Sequence, residues 1–335
     1  MAILVTGGAG YIGSIVAQQL IQCGQQVVVY DNLSHGHRAA IPVGAHFIEG
    51  EIADTVKLGD ILTRFKITAA MHFAALIESG ESMKSPAAYF QNNSAGTLNL
   101  LDALLRQGIR KVVFSSTAAV YGNPERLSVT EDARLCPTSV YGESKLIVER
   151  MLQWFSKTHQ LHYASLRYFN AAGAEGELGE AHQPESHLIP RILQVAMGLQ
   201  ENVSVYGTDY PTPDGTCIRD YIHVSDLAAA HIMVLNALES QNTLIYNLGI
   251  GKGFSVREVI ETARKITGHA IPSRETERRP GDPAILVASS DKIQNELGWK
   301  PKYSNLKSII QSAWDWQRKH LQEHGSTFQR DLVGG

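Results

Sequence analysis

Met1-Ala-Ile-Leu-Val-Thr6 runs directly into Gly7-Gly8-Ala9-Gly10-Tyr11-Ile12-Gly13. Ile3, Leu4 and Val5 form a short apolar run of strand type. Beyond the glycines, Ile12, Ile15, Val16 and Leu20 recur at the spacing of one helical face. The glycines therefore sit in a turn between a strand and a helix, at spacing G-x-x-G-x-x-G. Gly7, Gly10 and Gly13 keep side chains out of that turn, so backbone N–H groups can approach a pyrophosphate at the helix N-terminus. Asp31 follows Gly13 by 18 residues, at the end of the next apolar run, Val27-Val28-Val29-Tyr30. A carboxylate there accepts hydrogen bonds from an adenosine ribose and repels a 2′-phosphate, which favours NAD over NADP. Two readings stay open at this point. Asp31 can instead cap a turn, and His35, His37 and Arg38 nearby could accommodate a phosphate.

The same rhythm continues outward from this unit. Phe47-Ile48, Met71-His72-Phe73-Ala74, Val112-Val113-Phe114 and Ala164-Ser165-Leu166 are short apolar runs separated by helix-length patterns. One helix is expected from about Pro86, carrying Leu98, Leu101, Leu104 and Leu105. Another is expected from about Tyr141, carrying Ile147, Met151, Leu152 and Phe155. Alternating strands and helices predict an α/β fold with a doubly wound parallel sheet, buried on both faces. The rhythm breaks after Asn170, at the glycine-rich stretch 172–179 and the turn-rich stretch 209–215. Ser255-x-x-Glu258 reads as a capping box, and a last helix is expected near Leu306 to Trp316. The boundary falls at 175/176. Residues 1–175 form a nucleotide-binding domain, and 176–335 a smaller C-terminal α/β substrate lobe that reuses the end of the main sheet, the chain crossing between lobes more than once.

Composition narrows the class. The 335 residues are 44% hydrophobic and 19% charged, with a net charge of −3. That is ordinary globular composition, without the positive field that nucleic acid or an anionic membrane surface would need. No window approaches the ~18 apolar residues of a membrane span. The start shows no basic segment followed by an apolar one, so no targeting segment is expected. Cys23, Cys136 and Cys217 lie far apart, with no Cys-x-x-Cys pair. Disulfides and zinc knuckles are not expected, and neither is any metal, since His46, His159, His162, His231 and His269 lack ligand spacing. The expectation is a protein of the cytoplasm.

Tyr141-Gly-Glu-Ser-Lys145 sets a phenol and an ammonium four apart, on one helix face. A free tyrosine, at pKa ~10, is a poor base at neutral pH. A neighbouring lysine and a positively charged nicotinamide would favour the phenolate. Thr117, at the carboxyl edge of the strand ending Phe114-Ser115-Ser116-Thr117, lies where open α/β sheets bind ligands. Its hydroxyl can relay a proton to Tyr141 or simply pack the strand end.

Together these residues resemble the extended short-chain dehydrogenase/reductase family over nearly the whole chain. The stretches Val5–Gly13, Asp31-Asn32-Leu33, His72-Phe-Ala-Ala75, Ser115–Gly122, Arg167-Tyr-Phe-Asn170 and Asp209–Val224 narrow the likeness to its UDP-glucose 4-epimerases. The last stretch is the most specific. The resemblance implies a Rossmann-type NAD-binding domain and an isomerase of galactose metabolism that interconverts UDP-glucose and UDP-galactose. The sugar is oxidised at C4 by bound NAD, the 4-keto sugar rotates, and hydride returns to its other face. It implies Tyr141 as the base, with Lys145 and Thr117 as its catalytic partners. Cofactor contacts are implied at Gly7, Gly10, Tyr11, Ile12, Gly13, Asp31, Asn32, Ser34, Glu51, Ile52, Phe73, Ala74, Ala75, Asn93, Ser115, Lys145 and Phe169. Substrate contacts are implied at Thr117, Tyr141, Asn170, His187, Leu188, Ser204, Tyr206, Arg219, Arg279 and Asp282. A guanidinium fork reads a diphosphate well. On the residues alone, Arg219 and Arg279 read equally as surface ion-pair residues, and Asp282 as a turn former. The family pairs the helices near 86–106 and 141–156 into a dimer contact, so a homodimer is expected.

The chain departs from the family pattern at four places. Glu51 stands where Asp is frequent, Ile77 where a lysine is common, His187 where an asparagine is usual, and Leu286 at a position that gates N-acetylated sugars. UDP-N-acetylhexosamine and UDP-pentose therefore remain alternative substrates. Ala118-Ala119 cannot transfer protons, which disfavours the dehydratases and decarboxylases of this fold. A non-catalytic NAD-binding regulator is disfavoured because Tyr141, Lys145 and Thr117 are all retained.

Overall fold

Ile3 and Val5 point to one side of the first strand and Leu4 to the other, yet all three are fully buried. Period-two alternation without an exposed face requires a cover on both sides. The computed structural model, which describes residues 1–279 and 281–333, with side chains through Gln322, shows both covers. On one side Ile3, Val5, Val27 and Val29 pack under Ile15, Val16 and Leu20 of the helix Tyr11–Gln22. On the other, Leu4 and Val28 pack under Leu58, Leu62, Leu100 and Leu104.

The large sheet has seven parallel strands. Their spatial order is Thr243–Leu248, His162–Tyr168, Lys111–Thr117, Ala69–His72, Ala2–Thr6, Gln26–Asp31 and His46–Glu49. The order reverses between Ala2–Thr6 and Ala69–His72. That is the switch point, where the loops leave in opposite directions and open a crevice. The fold is thus the doubly wound α/β arrangement expected.

A second sheet is built around Ile218–His223, which pairs with Gly253–Ser255, Ile285–Ala288 and Asn170–Ala172. Helices Leu188–Ala196, Val256–Thr267 and the long Leu306–Val333 cover it. The Ser255/Glu258 capping box is formed, with Glu258 N–H donating to Ser255 Oγ at 3.1 Å and Ser255 N–H to Glu258 Oε2 at 2.7 Å. The chain crosses between the sheets. Val224–Ala237 packs against the Tyr11–Gln22 helix, Thr243–Leu248 edges the large sheet, and Ser128–Val129 joins the small one. The final helix runs well past Trp316.

The expected helix from Pro86 is interrupted. Between Pro86–Tyr89 and Gly96–Arg106 lies one wide π turn, Phe90–Ala95. It shifts the helical phase so that Asn93 and Thr97 both face inward, while Leu98, read as a core position, is 41% exposed. Among the described residues no helix is long and apolar enough to cross a membrane.

Candidate active site

The crevice begins at the glycine loop. Gly7 has φ +72°, and a Cβ on it would lie 2.5 Å from the Ala74 nitrogen. A Cβ on Gly13 would lie 2.3 Å from the Gly7 carbonyl. Any side chain at either position would pry the loop from the helix or from the strand end at Phe73-Ala74-Ala75. Gly10 caps the helix without a side-chain acceptor, so its first-turn N–H groups point outward with no intrahelical partner. Asp31 is buried, and it braces the loop by accepting Ala9 N–H and Leu33 N–H, both at 2.9 Å. At the far end Asn32 donates to both Glu51 oxygens and accepts Ser34 N–H at 3.0 Å. Tyr11 donates to the Gly173 carbonyl at 2.7 Å, tying the loop to the second lobe.

Lys145 and Tyr141 rise from the helix Val140–His159 toward the end of strand Lys111–Thr117. Lys145 is 3% exposed. Its Nζ donates to the Ser115 carbonyl at 3.0 Å and lies 6.0 Å from the centre of the Tyr141 ring. Burial without a carboxylate partner pulls the ammonium down to about 7. Thr117, at the end of its strand, stands close enough to the Tyr141 phenol to pull its pKa down. The expected acidification of Tyr141 calls for Lys145 together with a bound nicotinamide. Burial pushes the phenol up to about 12, Thr117 pulls it down, and the Glu78 carboxylate adds to the rise.

Asn93 stands in the wall of the crevice with its carboxamide fully engaged. It accepts Leu76 N–H at 2.8 Å and donates to the Leu76 carbonyl at 2.9 Å and to Ser144 Oγ at 3.1 Å. Ser144 in turn donates to the Tyr141 carbonyl at 2.7 Å. The π turn thus positions Asn93 to hold the crevice wall and the Tyr141 helix together. Ile52 and Phe169 are buried, Phe169 in an apolar cluster with Ala118, Tyr121 and Leu286.

The second lobe closes the crevice. Arg219 pairs with Asp282 at 3.7 Å and stands opposite Leu286 in the strand register. The Arg279 guanidinium lies 3.9 Å from the centre of the Tyr206 ring. Asn170 donates to the Asp220 carbonyl at 2.8 Å. Ser204 and Tyr206 lie on the strand Val203–Tyr206. His187 caps the helix that begins at Leu188. Its Nδ1 lies 2.8 Å from Glu180 Oε1 and 3.0 Å from Glu185 Oε1. These two carboxylates hold the imidazole well above its ordinary pKa. An imidazole facing two carboxylates therefore stands at this departure.

With this geometry in view, comparison with known proteins is decisive. The pattern of the NAD dependent epimerase/dehydratase family matches residues 3–249. The chain belongs to that family. It is 50% identical over 335 residues to a UDP-glucose 4-epimerase of Halalkalibacterium halodurans, covering 99% of both chains. A UDP-glucose 4-epimerase from Brucella ovis, solved with NAD, superposes with a TM-score of 0.91 at 45% identity, over 94% of this chain and 97% of that one. The Bifidobacterium longum enzyme, solved with NAD+ and UDP, gives 0.91 at 37% identity, over 95% and 98%.

The site fits the cofactor of this epimerase family. The glycine cradle leaves room for a pyrophosphate that a Cβ would take, and Lys145 is a buried cation with no carboxylate, suited to a ribose hydroxyl. Three features of the site escaped the sequence reading. Glu78, which faces Tyr141, also accepts Ser186 Oγ at 2.5 Å across the lobes. Glu180, His182, Glu185 and His187 bring ligand-type atoms within 4.8 Å of one another, a grouping outside the five histidines weighed from the sequence. Its only sequence trace is the alternation Glu-x-His-x-x-Glu-x-His. Arg191, one helical turn past His187, stands close enough to Tyr206 to pull its phenol down; no motif in the sequence marks it.

Proposed function

We propose that this epimerase interconverts UDP-glucose and UDP-galactose, with Tyr141 as the base at the sugar 4-hydroxyl. The observation that carries the reading is buried Lys145, bonded to the Ser115 carbonyl and 6.0 Å from the centre of the Tyr141 ring, beside the strand end that carries Thr117. Bound NAD supplies a hydride acceptor at its nicotinamide and the positive charge of that ring. Every other role falls to the chain. Thr117 Oγ1 passes the hydroxyl proton to Tyr141 Oη and back. Lys145 holds the cofactor ribose. Gly7, Gly10, Gly13, Tyr11, Ile12, Asp31, Asn32, Ser34 and Glu51 seat the dinucleotide, while Phe73, Ala74, Ala75, Ser115 and Phe169 wall its nicotinamide end.

The phenol at about 12 is a weak acid in the chain alone. Its activation is thereby tied to cofactor loading, which suppresses proton transfer in an empty site. On the substrate side, Arg219 and Arg279 take the diphosphate, Asp282 a ribose hydroxyl, and Tyr206 with Ser204 the uracil. Asn170, His187 and Leu188 border the sugar. Leu286 packs beside Ala118 and Phe169 and sets the width of the sugar pocket.

The lobes divide the work. The large sheet, mostly residues 1–175, holds the dinucleotide, and residues 176–335 hold the nucleotide sugar. The protein works as a homodimer through the helices that carry Leu98 and Trp154, which are 41% and 66% exposed. Cys23, Cys136 and Cys217 are all unpaired, which suits the cytoplasm. The test is epimerisation of UDP-galactose against UDP-N-acetylgalactosamine, compared by kcat/KM. Turnover of UDP-galactose supports the reading. Turnover of the N-acetylated sugar alone would replace it.

A further inference from the structure

Arg191 meets no carboxylate among the described residues. It lies on the helix Leu188–Ala196, and its N–H donates to the His187 carbonyl at 3.3 Å. The two side chains therefore share a helix face. Arg279 and Arg191 both pull the Tyr206 phenol below its ordinary value, and the Arg279 guanidinium carbon stands 3.9 Å from the centre of the Tyr206 ring. Nearby arginines are neutralised: Arg219 by Asp282 at 3.7 Å and Arg278 by Asp209 at 2.6 Å. Among the described residues neither Arg191 nor Arg279 meets a carboxylate. Arg191 Nε is sealed from solvent and has no hydrogen-bond partner at all. A buried N–H left without an acceptor is costly. The cost is recovered when an anion arrives. Two guanidinium groups without a carboxylate near one ring stand ready, beside Arg219, for the negative charges of a nucleotide-sugar diphosphate.

We infer that Arg191 is a further substrate-binding residue, donating with Arg279 to the diphosphate of the nucleotide sugar. The inference rests on the nucleotide-sugar reading of this site. The Arg279 contact holds one end of the diphosphate at Tyr206. The Arg191 contact sits one turn inside the helix capped by His187, so it draws the diphosphate toward the sugar end of the crevice. The fork geometry matters, because two parallel N–H donors fit two phosphate oxygens where a lysine offers a point charge.

The experiment compares wild type, Arg191→Leu and Arg191→Lys as NAD-loaded proteins. UDP and uridine affinities are measured by calorimetry, and KM and kcat with UDP-galactose. Arg191→Leu is expected to weaken UDP about 10-fold or more, the size of a lost hydrogen bond to a charged group, with uridine affinity changed far less. KM should rise more than kcat falls, and Arg191→Lys should recover part of the loss. Equal UDP affinity in Arg191→Leu and wild type would overturn the inference. So would equal weakening of UDP and uridine, which places the residue's effect on the nucleoside or the fold. Should Arg191→Leu fail to load NAD, Arg191→Lys carries the same comparison. A wild type that binds UDP through Arg191 but does not turn over UDP-galactose would leave Arg191 standing and sink the proposed reaction.

Discussion

Arg167 and Glu149 meet as a forked ion pair, with N–O distances of 2.6 and 3.0 Å and side chains only 2% and 1% exposed. Glu149 lies one turn beyond Lys145 on the same helix. It also accepts Ser116 Oγ at 2.6 Å, next to Thr117. The pair therefore pins the helix bearing Tyr141 and Lys145 against the strand bearing Thr117. Removing one partner strands a buried charge, which costs about 3–5 kcal/mol. Glu149→Ala should lower the unfolding free energy by that amount in urea titration. A loss under about 1 kcal/mol would mean that water reaches the pair.

Tyr141→Phe removes the oxygen that exchanges a proton with the sugar but keeps the ring that packs the crevice. Turnover should fall by several orders of magnitude while NAD content stays at the wild-type level. Proton transfer by a positioned side chain contributes about 10²–10⁴ on its own. Near wild-type turnover in this variant would move the base to another group.

The depressed Lys145 makes a prediction in pH. Its folded value is about 7, below the ~10.4 of a free lysine. Between those values the unfolded chain binds a proton that the native chain has released. Stability of the NAD-stripped protein then rises with pH across that window, by at most about 1.4 kcal/mol per pH unit from this group. Below about pH 7 the burial cost is carried in full. Lys145→Met should remove this rise and be the more stable protein at pH 6. Parallel stability curves for the two proteins from pH 7 to 10 would show that the ammonium is hydrated.

Trp154 and Leu98 are large apolar side chains on the outer faces of two adjacent helices. Light scattering should give a dimer for the wild type. It should give a monomer with normal secondary structure for Trp154→Glu combined with Leu98→Glu. A wild type that is monomeric at micromolar concentration, or a charged variant that stays dimeric, would remove these helices from the interface.

Legibility from the sequence followed the range of the forces involved. The glycine spacing, the apolar runs and the Tyr-x-x-x-Lys pair are local patterns, and each maps onto one turn, strand or helix face. By themselves they determined the α/β class, the dinucleotide crevice and the candidate acid–base pair. The strand Thr243–Leu248, by contrast, joins the large sheet from far along the chain, and only long-range packing put it beside His162–Tyr168. Charge balance was likewise out of reach of local pattern. Whether Lys145 acidifies Tyr141, whether Arg191 finds a carboxylate, and whether His187 carries a proton all depend on which groups share a dry volume. Glu180 and Glu185 raise the His187 pKa, Glu78 opposes ionisation of Tyr141, and Arg191 Nε is buried without a partner among the described residues. Electrostatic energy scales with distance and hydration rather than with sequence separation, so those answers belong to the tertiary structure.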